Sequence, residues 1–245
     1  MKNTLILFTI LAGIITSCTK DETADVSRLT SFPVITLNGN AEILAPFGSE
    51  YVDPGASAFA GDVSVTTMTS FGSGTYQGAA GVDTSVPDNY MVTYSAENSD
   101  GFDGTAIRNV WVANTGDLVN SIEGLYLADV QRAPDFTPSA QYSGLTYVLI
   151  WKTGDNTYEI SHAVGGYYDF GRGYGPNYAA RGSIITVNDI PSNDFTITQA
   201  IFPGFGNVAD ITEFTVNPIG RTIAFTGTAN FGNGVFHVQL KQVQF

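Results

Sequence analysis

The run Tyr90-Met91-Val92-Thr93-Tyr94-Ser95-Ala96 decides the fold class. Tyr90, Val92, Tyr94 and Ala96 recur at every second position, with Met91, Thr93 and Ser95 between them. Side chains of an extended chain alternate between two faces, so the pattern describes a half-buried strand. Asn98-Ser99-Asp100-Gly101 follows as a turn, because Asn and Asp bond back to their own backbone and Gly takes positive φ. Ala106 to Ala113 then returns as the partner strand. Pro87-Asp88-Asn89 precedes Tyr90, which suits a tyrosine whose hydroxyl bonds back to the upstream turn. Working backwards, strand text begins at Phe32-Pro33-Val34-Ile35-Thr36-Leu37, turns at Asn38-Gly39-Asn40, and resumes over Glu42 to Ala45. Asp53-Pro54-Gly55 punctuates the chain again before the alternating stretch Val63 to Thr69. Seven or so short strands in about 85 residues predict a small two-sheet sandwich over 32–114.

Working forwards, Asn114-Thr115-Gly116-Asp117 reads as a domain junction, and a second β region fills 119–245. About eight antiparallel strands are expected there, near 124–132, 146–153, 157–163, 183–188, 195–200, 211–217, 222–229 and 235–242. Gly154-Asp155-Asn156 and Asn233-Gly234 supply hairpin signals. A barrel and a sandwich both fit these strands. The fold class is therefore all-β. The 27 glycines and sparse Lys and Glu agree with strands joined by tight turns rather than long helices.

The N-terminus carries an address. Lys2 precedes an apolar run from Leu5 to Ile15, too short to span a bilayer and suited to a signal peptide. Ile15-Thr16-Ser17-Cys18 resembles the lipobox of bacterial lipoproteins. That resemblance implies removal of 1–17, lipidation of Cys18, the single cysteine, and a tether over 18–31. The acyl chains would be the membrane anchor. Cleavage there removes Lys2 and no acidic residue, leaving nine basic against 23 acidic side chains. A chain so acidic will not track nucleic-acid phosphates, and one cysteine allows no internal disulfide.

Two further resemblances cover the rest. Pro33-Val34-Ile35-Thr36-Leu37-Asn38-Gly39, Tyr51-Val52-Asp53-Pro54-Gly55-Ala56, Gly81-Val82-Asp83-Thr84-Ser85, Tyr90-Met91-Val92-Thr93-Tyr94 and Arg108-Asn109-Val110-Trp111-Val112 occur in that order. They resemble the bacterial Ig-like domain named after a pesticidal crystal toxin, with a departure over Ser70 to Ala80, which is Gly- and Ser-rich. That family implies a spacer or adhesive sandwich. Ile122-Glu123-Gly124-Leu125-Tyr126, Trp151, Tyr158-Glu159-Ile160-Ser161 and Gly165 to Gly175 resemble the C-terminal domain of Bacteroidetes surface lipoproteins of starch-utilisation-type loci. That resemblance implies an outer-membrane protein facing the exterior, a glycan-binding role and a transporter complex as partner. Lys20-Asp21-Glu22 after Cys18 resembles the export context of such proteins.

Gly165 to Tyr178 holds five aromatics and five glycines in fourteen residues. Tyrosine offers a flat apolar face and a hydroxyl at small entropic cost, a pairing suited to recognition loops. The expected glycan site comprises Tyr167, Tyr168, Asp169, Phe170, Arg172, Tyr174 and Tyr178, with Trp151 completing a platform. Asp169 and Arg172 would hydrogen-bond adjacent sugar hydroxyls. The competing reading folds the segment over the barrel end, burying its rings and pairing Asp169 with Arg172; the protein is then a structural or protein-interaction module. No catalysis, cofactor or metal is expected. His162 and His237 show no pattern that sets them beside a carboxylate and a nucleophile, and His237 falls on the polar face of its strand. Trp111 reads as core. Asp100 and Asp103 read as turn residues before they read as calcium ligands. Asp129, Asp155, Glu159 and Asp169 are carboxylates that no spacing pairs for glycoside hydrolysis.

Overall fold

The computed structural model describes residues 29–244. The expected signal peptide, the expected lipidation site Cys18 and most of the expected tether lie outside them. The chain is all-β. In its N-terminal part β1 (Pro33–Leu37), β3 (Ala56–Ala60) and β4 (Val63–Val65) form one sheet. The other sheet has the order β2 (Glu42–Pro46), β7 (Asp103–Ala113), β6 (Asp88–Glu97), β5 (Met68–Gly74). Strands β6 and β7 pair antiparallel in the register Tyr90↔Val110 and Tyr94↔Ala106. Tyr90, Val92, Tyr94, Val110 and Val112 all face the sandwich core, as period-two patterning requires. The Tyr90 hydroxyl donates to the Val86 carbonyl at 2.9 Å, pinning the turn that feeds β6.

One charge sits inside this sandwich. Arg108 is fully buried, and a buried guanidinium is tolerable only when paired and hydrogen-bonded. Its Nη1 donates to Asp53 Oδ1 at 2.6 Å. Nη2 and Nε donate to the carbonyls of Asn38 and Asn40 at 2.7 and 3.0 Å. The Tyr94 hydroxyl reaches the same Asp53 oxygen at 2.5 Å. The motif Asp53-Pro54-Gly55 thus holds the counter-ion of the core.

The C-terminal part is a single antiparallel sheet of nine strands. Its strands are β8 (Gly124–Arg132), β9 (Leu145–Gly154), β10 (Thr157–Ile160), β11 (Ser183–Asp189), β12 (Asp194–Ile197), β13 (Ala200–Ile201), β14 (Val208–Asn217), β15 (Thr222–Ala229) and β16 (Val235–Gln242). Their order is β12-β11-β10-β9-β8-β16-β15-β14-β13. The sheet coils until Phe195 of β12 meets Phe214 of β14, ring centroids 4.9 Å apart; β12 and β13 do not pair as strands, and the ends are joined only locally, where Arg181, just ahead of β11, exchanges backbone hydrogen bonds with Ile201 of β13 and the Val216 N–H donates to Asn193 Oδ1. Of the two architectures compatible with the sequence, this is the barrel, left open. The single strand expected near 195–200 is instead two, β12 and β13.

The two parts pack directly on each other. Leu44, Trp111 and Ala113, on the outer face of the four-stranded sheet, meet Leu125, Leu149, Trp151 and Val243 on the outer face of the barrel. Tyr76 inserts between them, with its ring 6.0 Å from Trp151 and 6.4 Å from Trp111. Tyr147 meets Trp111 edge-on at 5.4 Å. Arg181 Nη1 donates across the seam to the Thr75 carbonyl at 3.3 Å. Trp111 is therefore buried, but between domains rather than within the sandwich core.

Candidate binding cleft at the domain seam

The glycine–aromatic segment folds as a plug in the barrel. Gly165 and Gly166 take φ of 63° and 77°, the left-handed region that favours glycine. A Cβ on Gly165 would lie 2.7 Å from both Val130 and Val238, and one on Gly166 would lie 2.5 Å from Phe170. The chain then makes one π-helical turn over Tyr167–Gly171. That turn sends Tyr167 and Tyr168 inward, where they meet Phe236 at 5.2 and 6.0 Å. Tyr142 stacks on Tyr167 at 4.2 Å, and the Arg132 guanidinium lies 5.5 Å from the same ring. Burial raises the Tyr167 and Tyr168 hydroxyls above their ordinary pKa.

The expected glycan platform is therefore not assembled. Tyr167, Tyr168, Asp169 and Trp151 are buried, so their faces are closed to a ligand by core packing. Arg172 and Tyr174 remain exposed, while Phe170 and Tyr178 are half-buried. Asp169 and Arg172 do not act together either. Asp169 turns inward to His162, and Arg172 reaches the Tyr142 hydroxyl at 3.3 Å.

His162 corrects a second expectation, because it does lie between a serine and a carboxylate. Ser161 Oγ accepts from the Leu149 N–H at 2.9 Å and sits 2.7 Å from His162 Nδ1. His162 Nε2 lies 3.0 Å from Asp169 Oδ2. Serine, histidine and aspartate in a row suggest nucleophile activation. Here Ser161 and His162 are both wholly buried, so no substrate reaches the hydroxyl. Tyr76 covers them from the seam. Its ring meets His162 edge-on at 5.8 Å. Burial, together with the negative charges of Asp169 and Asp88, pushes the Tyr76 hydroxyl well above its usual pKa. The row is a polar bolt through the domain contact. No spacing rule pairs His162 with Asp169, seven residues on; the turn at Gly165 and Gly166 brings them together.

Beside this bolt the seam opens into a cleft of about 420 Å³. Tyr76, Met91, Trp111 and Phe170 form its apolar wall, and Glu42, Asn89, Asn109 and Asp169 supply polar groups. Glu42 is held at the rim, taking Trp111 Nε1 at 3.0 Å and Asn109 Nδ2 at 2.7 Å. Asn89 is only 8 % exposed, and its Nδ2 has no hydrogen-bond partner. None of the cleft residues except Asp169 and Phe170 was singled out from sequence as a ligand contact. A second groove is lined by the polar residues Asp129, Gln131, Glu213, Thr226, His237 and Gln239, with Ala224, Phe225 and Val238 between them. His237 is exposed there and stacks on Phe136 at 4.1 Å. Asp100 accepts from Thr30 Oγ1 at 2.9 Å, and among the described residues no three His, Cys, Asp or Glu side chains converge on a point.

Comparison with known proteins places both parts. A family profile for a C-terminal domain matches residues 115–242, and one for the Ig-like domain of bacterial surface proteins matches residues 35–112. Among solved structures, the lipoprotein BT2262 from Bacteroides thetaiotaomicron is similar at 26 % identity and a TM-score of 0.63. The match covers 86 % of this chain and all of that one. No curated protein sequence matches.

Proposed function

The chain belongs to the family whose C-terminal domain spans residues 115–242, and on that premise we propose a lipid-tethered, non-catalytic surface lipoprotein that works by protein contact. Its partner is an outer-membrane uptake complex of the polysaccharide-utilisation kind, and it faces the cell exterior. The observation that carries this reading is the distribution of exposed apolar side chains. Among the described residues, eleven of the seventeen large hydrophobics that stand well exposed lie between Phe32 and Ile107, in the Ig-like domain. They occur on both outer faces. Val34 and Phe59 are directly paired across β1 and β3, 68 % and 48 % exposed. Met68, Met91 and Ile107 stand out from the four-stranded sheet. Scattered apolar residues are ordinary on a surface, but side chains that stand next to each other, as Val34 and Phe59 do, form the contiguous kind of patch that marks a contact.

The fold supports the same reading. The aromatic–glycine plug and the seam fix the two domains to each other, so the Ig-like domain is presented as a rigid arm. The test is copurification from native membranes in mild detergent. A Val34→Asp, Phe59→Asp double variant is expected to fold, since both side chains face solvent, and to lose the transporter that the parent retains. Retention of the same transporter by the double variant refutes a contact through this face.

A further inference from the structure

We propose that the cleft at the domain seam binds an alkylammonium group, a positive charge carried on an apolar stem. The argument begins with Asp169. It is only 7 % exposed, and its Oδ2 is held by His162 Nε2 at 3.0 Å. Among the described residues no group donates to its other oxygen, Oδ1, which keeps accessible surface. The little surface this side chain retains faces the cleft it lines. A carboxylate set so deep in protein is costly to leave short of donors. Glu42, at the rim, takes only the neutral donors Trp111 Nε1 and Asn109 Nδ2. Among the described residues no Lys or Arg pairs with either carboxylate. Arg181 donates to the Thr75 carbonyl across the seam but does not line the cleft.

The walls narrow the class of ligand. Two carboxylates and no basic side chain line the cleft, so its field repels anions and draws cations, and low-dielectric walls concentrate that field. A neutral molecule leaves both charges uncompensated. A metal ion needs several converging oxygens, and among the described residues no three His, Cys, Asp or Glu side chains converge. The rest of the wall is apolar. Tyr76 and Phe170 are half-buried, so part of each ring is open, and an aromatic face attracts a cation. An ammonium brings N–H donors to Asp169 Oδ1, and its methylene stem lies against Phe170 and Met91. The volume, about 420 Å³, is in the ordinary range for a small-ligand site. Entry is open, because Glu42, Met91, Thr146 and Pro176 are exposed. The site does not depend on contact through Val34 and Phe59, and either can fail without the other.

The two tryptophans, Trp111 and Trp151, both lie in the seam, so intrinsic fluorescence reports on it. The full-length protein is titrated with pentylamine, with its neutral isostere 1-pentanol, and with N-acetyl-lysine amide. The expected result is a saturable emission change with pentylamine, weakened by added salt, and none with 1-pentanol. Binding of the lysine derivative as tightly as pentylamine points to a protein-borne lysine as the natural source of the group; its exclusion points to a free amine. Asp169→Asn keeps the side-chain shape, removes the charge, and is expected to weaken pentylamine binding about tenfold. Met91→Arg sets a fixed cation at the mouth from an exposed position and is expected to abolish it. Glu213→Gln removes one carboxylate from the separate groove and is expected to bind like the parent. Circular dichroism melts check that each variant is folded. Four results overturn the proposal: pentylamine leaves the emission unchanged, 1-pentanol acts as strongly as pentylamine, binding survives both Asp169→Asn and Met91→Arg, or Glu213→Gln weakens it as much as Asp169→Asn.

Discussion

Replacing Tyr76 by alanine tests the seam that holds the two domains together. Tyr76 belongs to the Ig-like part of the chain, yet its ring packs on Trp151 and His162 of the barrel. Truncating a fully buried aromatic side chain to alanine costs about 3–5 kcal/mol. Part of the Tyr76 ring faces the cleft, so about 2–3 kcal/mol is expected here, including the lost ring contacts. Nearly all of that loss falls on the contact between domains rather than on either core. A domain of this size shifts its melting temperature by about 4–8 °C per kcal/mol. The parent protein should therefore melt in one calorimetric transition. Tyr76→Ala should show two, with the Ig-like domain melting first and the gap on the order of 10 °C. Tyr76→Phe keeps the ring and its contacts, loses only the buried hydroxyl, and should cost no more than about 1 kcal/mol with the single transition retained. Two parent transitions that Tyr76→Ala leaves in place would refute the coupling.

The remaining predictions concern the parts that position the site. Tyr90→Phe removes the bond to the Val86 carbonyl and should lower stability by about 1 kcal/mol, read from denaturant midpoints at unchanged slope. Gly166→Ala places a Cβ against Phe170 in left-handed backbone, and should destabilise the barrel by more than about 2 kcal/mol, with loss of near-ultraviolet tyrosine signal. Asp53 carries the pH dependence of the sandwich. Desolvation raises its pKa, but the hydrogen bonds from Tyr94, Arg108 and Tyr51 outweigh it and hold the carboxyl below its ordinary value. A depressed carboxylate contributes stability that is present above its unfolded pKa and lost as pH falls through the folded one. Stability should therefore decline in the acid range below about pH 4, and Asp53→Asn should flatten that decline while weakening the domain at neutral pH.

Much of the fold was legible in the sequence because β-structure writes itself with period two. Tyr90, Val92 and Tyr94 face the core for that reason, and the Pro87-Asp88-Asn89 turn placed the Tyr90 hydroxyl correctly. The seam was harder to see, though its trace is there. Val110 to Ala113 and Val148 to Trp151 are buried at every position, because one face meets its own core and the other meets the second domain. Unbroken apolar runs of this kind signal strands covered on both sides. The glycine–aromatic segment could not be settled by composition, since the same residues build an open platform or an inward plug. What decides it is geometry at Gly165 and Gly166, where there is no room for a Cβ. The pairing of His162 with Asp169 depends on that turn and was invisible without it. The cleft beside Trp111 and Phe170 depends on how the two domains meet, which no local pattern encodes.

Contact through the Ig-like domain is tested most directly by photo-crosslinking on living cells. A photoreactive side chain placed at Phe59 or Met68, both solvent-facing, should give a discrete adduct with an outer-membrane transporter, while one at Tyr174 on the barrel gives none. An adduct from Tyr174 alone, or none from either Ig-like position, would contradict it.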